Sequence, residues 1–354
     1  MKHSNATKWS FDRTAMSTLI SIKQFLELAQ TLPVVDVRSP GEYHQGHMAR
    51  AMNIPLFNDE ERAAVGTTYV QVGRNEAVLQ GLELAGKKMR TLCEAVLALQ
   101  SKQLLVYCWR GGMRSQSMAW LFEMVGKQCF VLERGYKAFR RAVLDEMAVE
   151  RELYILSGYT GSGKTEILAE LKKLGQQVID LEKLAHHKGS AFGALGQPPQ
   201  PSTEHFENLL FAELQQTNKV QPLWIEDESV NIGKIQIPSA FFCRMKNAKI
   251  LMVLVSQHVR IQRLLREYGD FDHEFLAEAI KKLEKRLGYE KCKKAMELCA
   301  EGQLTQVTQI LLDYYDKAYG FQVAARPPET VTRLHIPDGI SVTEIAEKIM
   351  NYEL

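Results

Sequence analysis

Two short stretches of this chain hold residue types that do chemistry, at spacings that gather them around an anion. The first is C-W-R-G-G-M-R-S, Cys108 to Ser115. Cys108 is followed by Arg110, Gly111, Gly112 and Arg114, between an apolar run and an amphipathic pattern. Successive backbone N–H groups at a helix start form a cradle for an anion. That field, with two arginines, lowers a thiol's pKa and yields a thiolate. A thiolate in such a cradle attacks sulfur, selenium or phosphorus centres that carry oxyanion groups. The competing reading of Cys108 is a small buried residue at a strand end.

The second stretch is G-Y-T-G-S-G-K-T, Gly158 to Thr165, which matches the P-loop pattern. Gly158, Gly161, Ser162, Gly163, Lys164 and Thr165 are the expected diphosphate-binding residues. Backbone N–H groups would wrap the diphosphate, Lys164 would bridge its oxygens, and Thr165 could hold Mg²⁺. The pattern reads a diphosphate and does not specify ATP. Ile225-Glu226-Asp227 is similar to a Walker B strand end, and Asp180 ends another apolar run. Asp180, Glu226 and Asp227 are therefore candidates near a metal, the alternative being a solvated acidic turn. No metal site is fixed by the sequence. Arg260, Arg263 and Arg266 fall where a helix is expected; 260 and 263 are neighbours there. Their charges could converge on phosphates, or form a solvated face.

Strands and helices must place these loops. Leu32–Val35 ending at Asp36, Leu104–Tyr107 ending at Cys108, and Phe130–Leu132 read as buried strands. Met118, Leu121, Phe122 and Val125 mark a helical face that Gly126 stops. Strands alternating with helices imply parallel sheets covered on both faces. The charged stretch 140–152 is read as helical and as the domain boundary. After it, Leu153–Leu156 is a strand before the P-loop, and Ile167, Leu168, Leu171 and Leu174 mark the following helix. Val178-Ile179, Leu223–Ile225 and Ile250–Val255 are further strands. Residues 187–203 read as a long Gly/Pro/Ser/Gln loop, the kind that is functional or disordered. From about 256 onward the pattern is mainly helical. The expected architecture is α/β: a polar tail (1–16), a first parallel-sheet domain (17–141), and a P-loop domain with a helical C-terminal part (142–354).

Composition sets the outer bounds. The chain has 354 residues, 45% hydrophobic and 24% charged, with net charge +2. That excludes a disordered chain, a disulfide scaffold and a polycation. No run approaches the ~20 apolar residues of a membrane span, and the N-terminal stretch lacks a signal peptide's apolar core. Six cysteines without framework spacing suit a reducing cytosol. Any nucleic-acid contact must come from local patches. Residues 281–294 offer one, with Lys281, Lys282, Lys285 and Arg286 opposite a Leu276/Ile280/Leu283/Leu287 stripe. A solvated helix face is the plainer reading of such a run.

The stretch D-V-R-S-P-G-E-Y-H-Q-G-H-M-A-R-A-M-N-I-P, Asp36 to Pro55, resembles the signature of rhodanese domains. Asp36, Arg38, Glu42, Gly46, His47, Ala51, Asn53 and Pro55 fall on that pattern. The resemblance implies that Asp36 and Arg38 hold loops near Cys108, and that His47 is a structural hydrogen-bonder. Sulfur-transferring rhodaneses usually have four residues between the cysteine and the loop arginine. Here there are five, Trp109 to Met113, which implies a wider cradle for a larger atom or oxyanion.

A rhodanese domain joined to a P-loop domain is similar to the tRNA 2-selenouridine synthase family. The resemblance extends through Pro55–Thr67, Arg110–Ser117, Arg134–Arg140, Asp180–Gly193 and Trp224–Ser229. It implies a cytoplasmic transferase that acts on tRNA bearing wobble 2-thiouridine. A geranyl group from geranyl diphosphate goes onto the sulfur; selenium from selenophosphate then replaces the geranylated sulfur. A selenophosphate synthetase would supply that donor, and no tightly bound cofactor is implied. On this reading the P-loop grips the diphosphate, while Cys108, Arg110 and Arg114 serve selenophosphate. Trp109 would stack on a base or pack its loop. The 187–203 loop, with Phe192, would cover the prenyl chain, and His186 and His187 would be surface residues or bases. The alternative is a C-x5-R phosphatase or reductase fused to a small-molecule kinase.

Overall fold

The computed structural model describes residues 17–352, so the polar tail 1–16 lies outside the described residues. The chain divides into two units between Asp145 and Glu146. That division falls inside a helix, Gly135–Met147, four residues beyond the expected 141/142.

The first unit is built on a five-stranded parallel sheet in the order β1-β5-β4-β2-β3. Its strands are β1 (Thr18–Ile20), β2 (Val34–Asp36), β3 (Met52–Asn53), β4 (Gln103–Tyr107) and β5 (Gln128–Leu132). The central strands bury Val35, Leu104, Val106 and Val131, and helix Met113–Met124 adds Met118, Ala119 and Phe122 to this core. Burial on both faces explains the unbroken apolar runs. Between β3 and β4 the chain forms three helices, Asp59–Gln71, Arg74–Gly86 and Met89–Leu97. The first begins with Asn58 and Glu61 capping each other's backbone.

The second unit also has a five-stranded parallel sheet, in the order β12-β11-β6-β8-β7. Its strands are β6 (Leu153–Gly158), β7 (Gln177–Val178), β8 (Leu223–Glu226), β11 (Lys249–Leu254) and β12 (Val331–His335). A short antiparallel hairpin, β9 (Asn231–Ile232) with β10 (Ile235–Gln236), stands apart. Helices Lys164–Lys173 and Val342–Met350 bury Ile167, Leu171, Ile345 and Ile349 against the sheet.

A separate helical core joins helices His273–Lys281, Tyr289–Ala300 and Leu304–Ala324 around Leu276, Ile280, Leu283, Leu287 and Leu311. The predicted Leu276/Ile280/Leu283/Leu287 stripe is buried here. The run from 256 onward is not wholly helical. β12 pairs along all five residues with β11, but only Leu334 of the five is buried, so no apolar run marks it.

Candidate functional site

Cys108 follows β4, where the strand ends and the chain turns into helix Met113–Met124. It is buried, and its Sγ lies 3.2 Å from the Ser115 hydroxyl, which donates to the Gly112 carbonyl at 3.1 Å. The turn is pinned from behind by residues 132–137. Tyr136 N donates to the Cys108 carbonyl at 2.8 Å and Lys137 N to that of Trp109 at 3.1 Å. Gly111, at φ +64°, leaves no room for a side chain, because a Cβ would lie 2.4 Å from the Leu132 carbonyl oxygen. Only glycine combines that conformation with so close an approach.

Beneath the loop lies an ion pair with no exposed side-chain surface. Arg38 donates to both Asp36 oxygens, at 2.6–3.0 Å, and to the Gly46 carbonyl at 2.6 Å. Its guanidinium sits 3.7 Å from the Tyr136 ring centre, and its second terminal nitrogen has no hydrogen-bond partner. Trp109 leans on Tyr136 at 5.6 Å, so it packs the loop. His47 stacks on Tyr43 at 3.7 Å and bonds its carbonyl through Nδ1, the structural role expected. Arg110 is exposed. Arg114 is held in a two-pronged pair with Glu42, at 2.6 and 3.2 Å. Burial pushes the Glu42 carboxyl up, but the hydrogen bonds and charge of Arg114 outweigh it and leave it below its ordinary range.

In the second unit β6 ends at Gly158 and the P-loop wraps into helix Lys164–Lys173. Gly161 and Gly163 both have positive φ, +80° and +83°. Lys164 Nζ donates to the Gly158 carbonyl at 3.1 Å. Ser162 is buried with its hydroxyl unpaired. Helix Gln257–Tyr268 clasps the loop. Arg260 donates to the Thr160 carbonyl and forms a two-pronged pair with Asp316, while Arg263 donates to the Gly161 carbonyl at 2.9 Å. Arg260 is only 4% exposed, so the solvated-face reading fails for it. The other two arginines line the cleft.

That cleft, of about 840 Å³, runs from the P-loop into the helical core. One end presents Lys164, Thr165 and Arg263; the other is walled by Phe192, Leu276, Ile280, Val307, Leu311 and Tyr315.

The family model for the tRNA 2-selenouridine synthase AAA domain matches residues 151–344, and that for the rhodanese-like domain matches residues 21–142. The tRNA 2-selenouridine synthase of Shewanella woodyi is 35% identical over 337 residues, covering 84% of this chain and 90% of that one. That of Shewanella denitrificans is 35% identical, covering 87% and 93%. That of Nitrosomonas europaea is 37% identical, covering 67% and 63%. The chain belongs to the tRNA 2-selenouridine synthase family. It is a transferase-type, tRNA-modifying enzyme of the rhodanese and P-loop α/β architecture.

In this 2-selenouridine synthase relative, the acidic residues that end β8 are drawn inward. Asp227 does not face solvent. Its Oδ2 accepts from Ser157 at 2.9 Å and Tyr319 at 2.7 Å, and its Oδ1 from Arg326 at 3.1 Å. Glu226 is fully buried, one oxygen accepting from Leu181 N at 3.0 Å. Burial, then the charges of Asp180 and Glu182, push its carboxyl well above the ordinary range. Neither is part of a solvated acidic turn. Asp180 caps helix Leu181–Ala185 through Lys183 N at 2.7 Å, and also lines the cleft.

Among the described residues no group of three or more His, Cys, Asp or Glu is arranged to hold a metal ion. His187 is buried rather than on the surface, and burial pushes its imidazole pKa down. His186 bonds the Pro199 carbonyl at 2.9 Å. The irregular segment after it is fastened by Lys188 to Glu267 and by Ala191 N to Tyr315.

Two acidic residues were not singled out by pattern. Glu182 and Glu228 both line the cleft. Burial pushes both carboxyls up, against the pull of Lys164. Glu228 adjoins the Walker-B-like pair in sequence, which was the available signal. Lys281, Lys282, Lys285 and Arg286 are all exposed, and Arg286 also lines the cleft. No described helix is long and apolar enough to cross a membrane.

Proposed function

We propose that this chain converts wobble 2-thiouridine of tRNA to 2-selenouridine in two steps. It first geranylates the sulfur from geranyl diphosphate, then replaces the geranylated sulfur with selenium from selenophosphate. The observation that carries the first step is the cleft itself, a P-loop opening into an apolar-walled trough. A diphosphate joined to a hydrocarbon chain matches both ends. In that step the sulfur attacks C1 of the geranyl group, the C1–O bond breaks, and the N3 proton of the base leaves. The diphosphate departs against Lys164, Arg263 and the P-loop N–H groups, which offset its growing charge. Mg²⁺, where bound, would be held by Thr165 and the diphosphate oxygens, and would supply further positive charge there. The engagement of Asp227 by Ser157, Tyr319 and Arg326 weighs against the kinase reading, which would use that carboxylate on a metal.

The Cys108 cradle, with Arg110 and Arg114, receives selenophosphate. Selenium bonds to C2 of the base, geranylthiol leaves, and water takes the phosphoryl group as inorganic phosphate. S-alkylation makes the sulfur the better leaving group that this exchange needs. The tRNA is met through exposed cations such as Lys281, Lys282, Lys285 and Arg286. The wobble base lies in a single-stranded loop and is splayed without melting a duplex. The reading implies a cytoplasmic enzyme supplied by a selenophosphate synthetase.

Nucleoside mass spectrometry on 2-thiouridine tRNA tests it. Incubation with geranyl diphosphate should give the geranylated nucleoside, and selenophosphate should convert that to the selenium form. Cys108→Ser should block only the second step and Lys164→Ala the first. An unchanged nucleoside with ATP turnover would favour the phosphatase–kinase alternative.

A further inference from the structure

A second cavity, of about 260 Å³, adjoins the diphosphate cleft in the second unit. Asp227, Glu228, Ser229 and Gln322 line both cavities, so the two share a wall. The remaining lining comes from Val230, Phe242, Lys246 and Arg326. Phe242 and Lys246 lie one turn apart on helix Ser239–Asn247, and the Lys246 ammonium sits 5.5 Å from the Phe242 ring centre. Phe242 is half-buried and Lys246 exposed.

Arg326 makes the chamber rigid. It donates to the Met245 and Lys246 carbonyls, at 3.0 and 2.6 Å, and to Asp227 at 3.1 Å. One guanidinium thus ties the end of that helix to the end of β8. An aromatic face beside a flexible cation, next to a fixed guanidinium plane, is the chemistry that holds a single unstacked nucleotide. Gln322 adds an amide, which can both donate to and accept from a base edge.

The position matters as much as the chemistry. An acceptor must stand beside the diphosphate-bearing group and yet outside the prenyl trough. We propose that this chamber receives the splayed 2-thiouridine nucleotide of the tRNA, stacked on Phe242 with its backbone phosphate near Lys246. The inference rests on the proposed function for what lies in the neighbouring cleft; the chamber's occupant is tested separately.

The test is equilibrium binding of a fluorescently labelled anticodon stem–loop with wobble 2-thiouridine to the full-length protein. Loss of one base stack should weaken binding in Phe242→Ala about 5- to 150-fold. Phe242→Trp should restore it. Lys246→Ala should weaken binding and flatten its salt dependence. Geranyl diphosphate affinity should stay within about twofold of wild type in all three, a change worth under 0.5 kcal/mol. Unchanged stem–loop affinity in Phe242→Ala, with a native circular-dichroism spectrum, would overturn the proposal. So would a loss confined to ATP affinity, which would make the chamber an adenine subsite. Failure of the wild type to transfer geranyl would instead remove the proposed function, and the binding series would still decide the chamber.

Discussion

Gly135 lies in backbone contact with Cys108: a Cβ on residue 135 would fall 2.2 Å from the Cys108 carbonyl oxygen. The two residues belong to different turns, one after β4 and the other after β5. Gly135 also has φ +57°, which a side chain disfavours by about 1–2 kcal/mol. The second turn therefore sets how far the cysteine loop can close, and Arg134, also at positive φ, shares that strained turn.

Gly135→Ala should force the two turns apart and open the cradle. Selenium incorporation is expected to fall at least about tenfold, equivalent to about 1.4 kcal/mol in the barrier. Geranylation, which we assign to the other unit, should keep its rate. The two nucleoside products, quantified separately in one time course, decide it. Equal loss of both would mean a folding defect and not a displaced loop.

Arg263 touches both the P-loop and the cleft. It donates to the Gly161 carbonyl and pairs with Glu166 at 3.1 Å. A cation there should bind the diphosphate as well as brace the loop. Arg263→Met keeps the stem and removes the charge. A hydrogen bond to a charged group is worth about 1.5–3 kcal/mol, so KM for geranyl diphosphate should rise about 10- to 150-fold. Initial rates at saturating tRNA measure this. A KM equal to wild type would confine Arg263 to bracing the loop.

The chemistry-bearing loops were legible because each follows a short, continuous apolar strand. Cys108 stands directly after β4, as the strand reading placed it; β6 runs on through Gly158, two residues past the expected Leu156, and the P-loop helix followed from Ile167, Leu168 and Leu171. The contact between Gly135 and Cys108 was not legible, because it joins turns 27 positions apart and leaves no periodic trace. Arg260 reads as surface in a charged helix, yet Asp316, 56 residues later, pulls it inside. Glu182 and Glu228 are likewise brought together by the fold, not by spacing. β12 escaped because its pairing partner, β11, is some eighty residues upstream.

Asp36 and Arg38 lie two residues apart and wholly buried. Removing one member of such a pair leaves a buried, uncompensated charge, at a cost of about 3–5 kcal/mol. Asp36→Asn should therefore destabilise the first unit by about that amount and disorder the Trp109–Tyr136 packing above Arg38. Urea unfolding followed by tryptophan fluorescence would show it. A midpoint within error of wild type would mean that Gly46 and the aromatic rings alone satisfy the guanidinium.

One carboxyl in each unit, the half-buried Glu42 and the buried Glu226, should respond to pH in opposite senses. Glu42 has a folded-state pKa held below its ordinary value, because the hydrogen bonds and charge of Arg114 outweigh burial. Its contribution is full above the unfolded value, about 4.3, and is lost as pH falls through the folded one. Glu226 is raised, first by burial and then by Asp180 and Glu182. Its fold favours the protonated form, so stability is lost as pH rises from the ordinary carboxylate range through that raised value. Glu42→Gln should thus be most destabilising near neutral pH and converge on wild type in acid. Glu226→Gln keeps the size and removes the charge, so it should melt higher than wild type at alkaline pH and converge below about pH 5, near the unfolded value. Thermal melts across that range separate the two. An advantage of Glu226→Gln that grew in acid would mean that Glu226 is ionised in the fold, with the hydrogen bond from Leu181 N outweighing its burial.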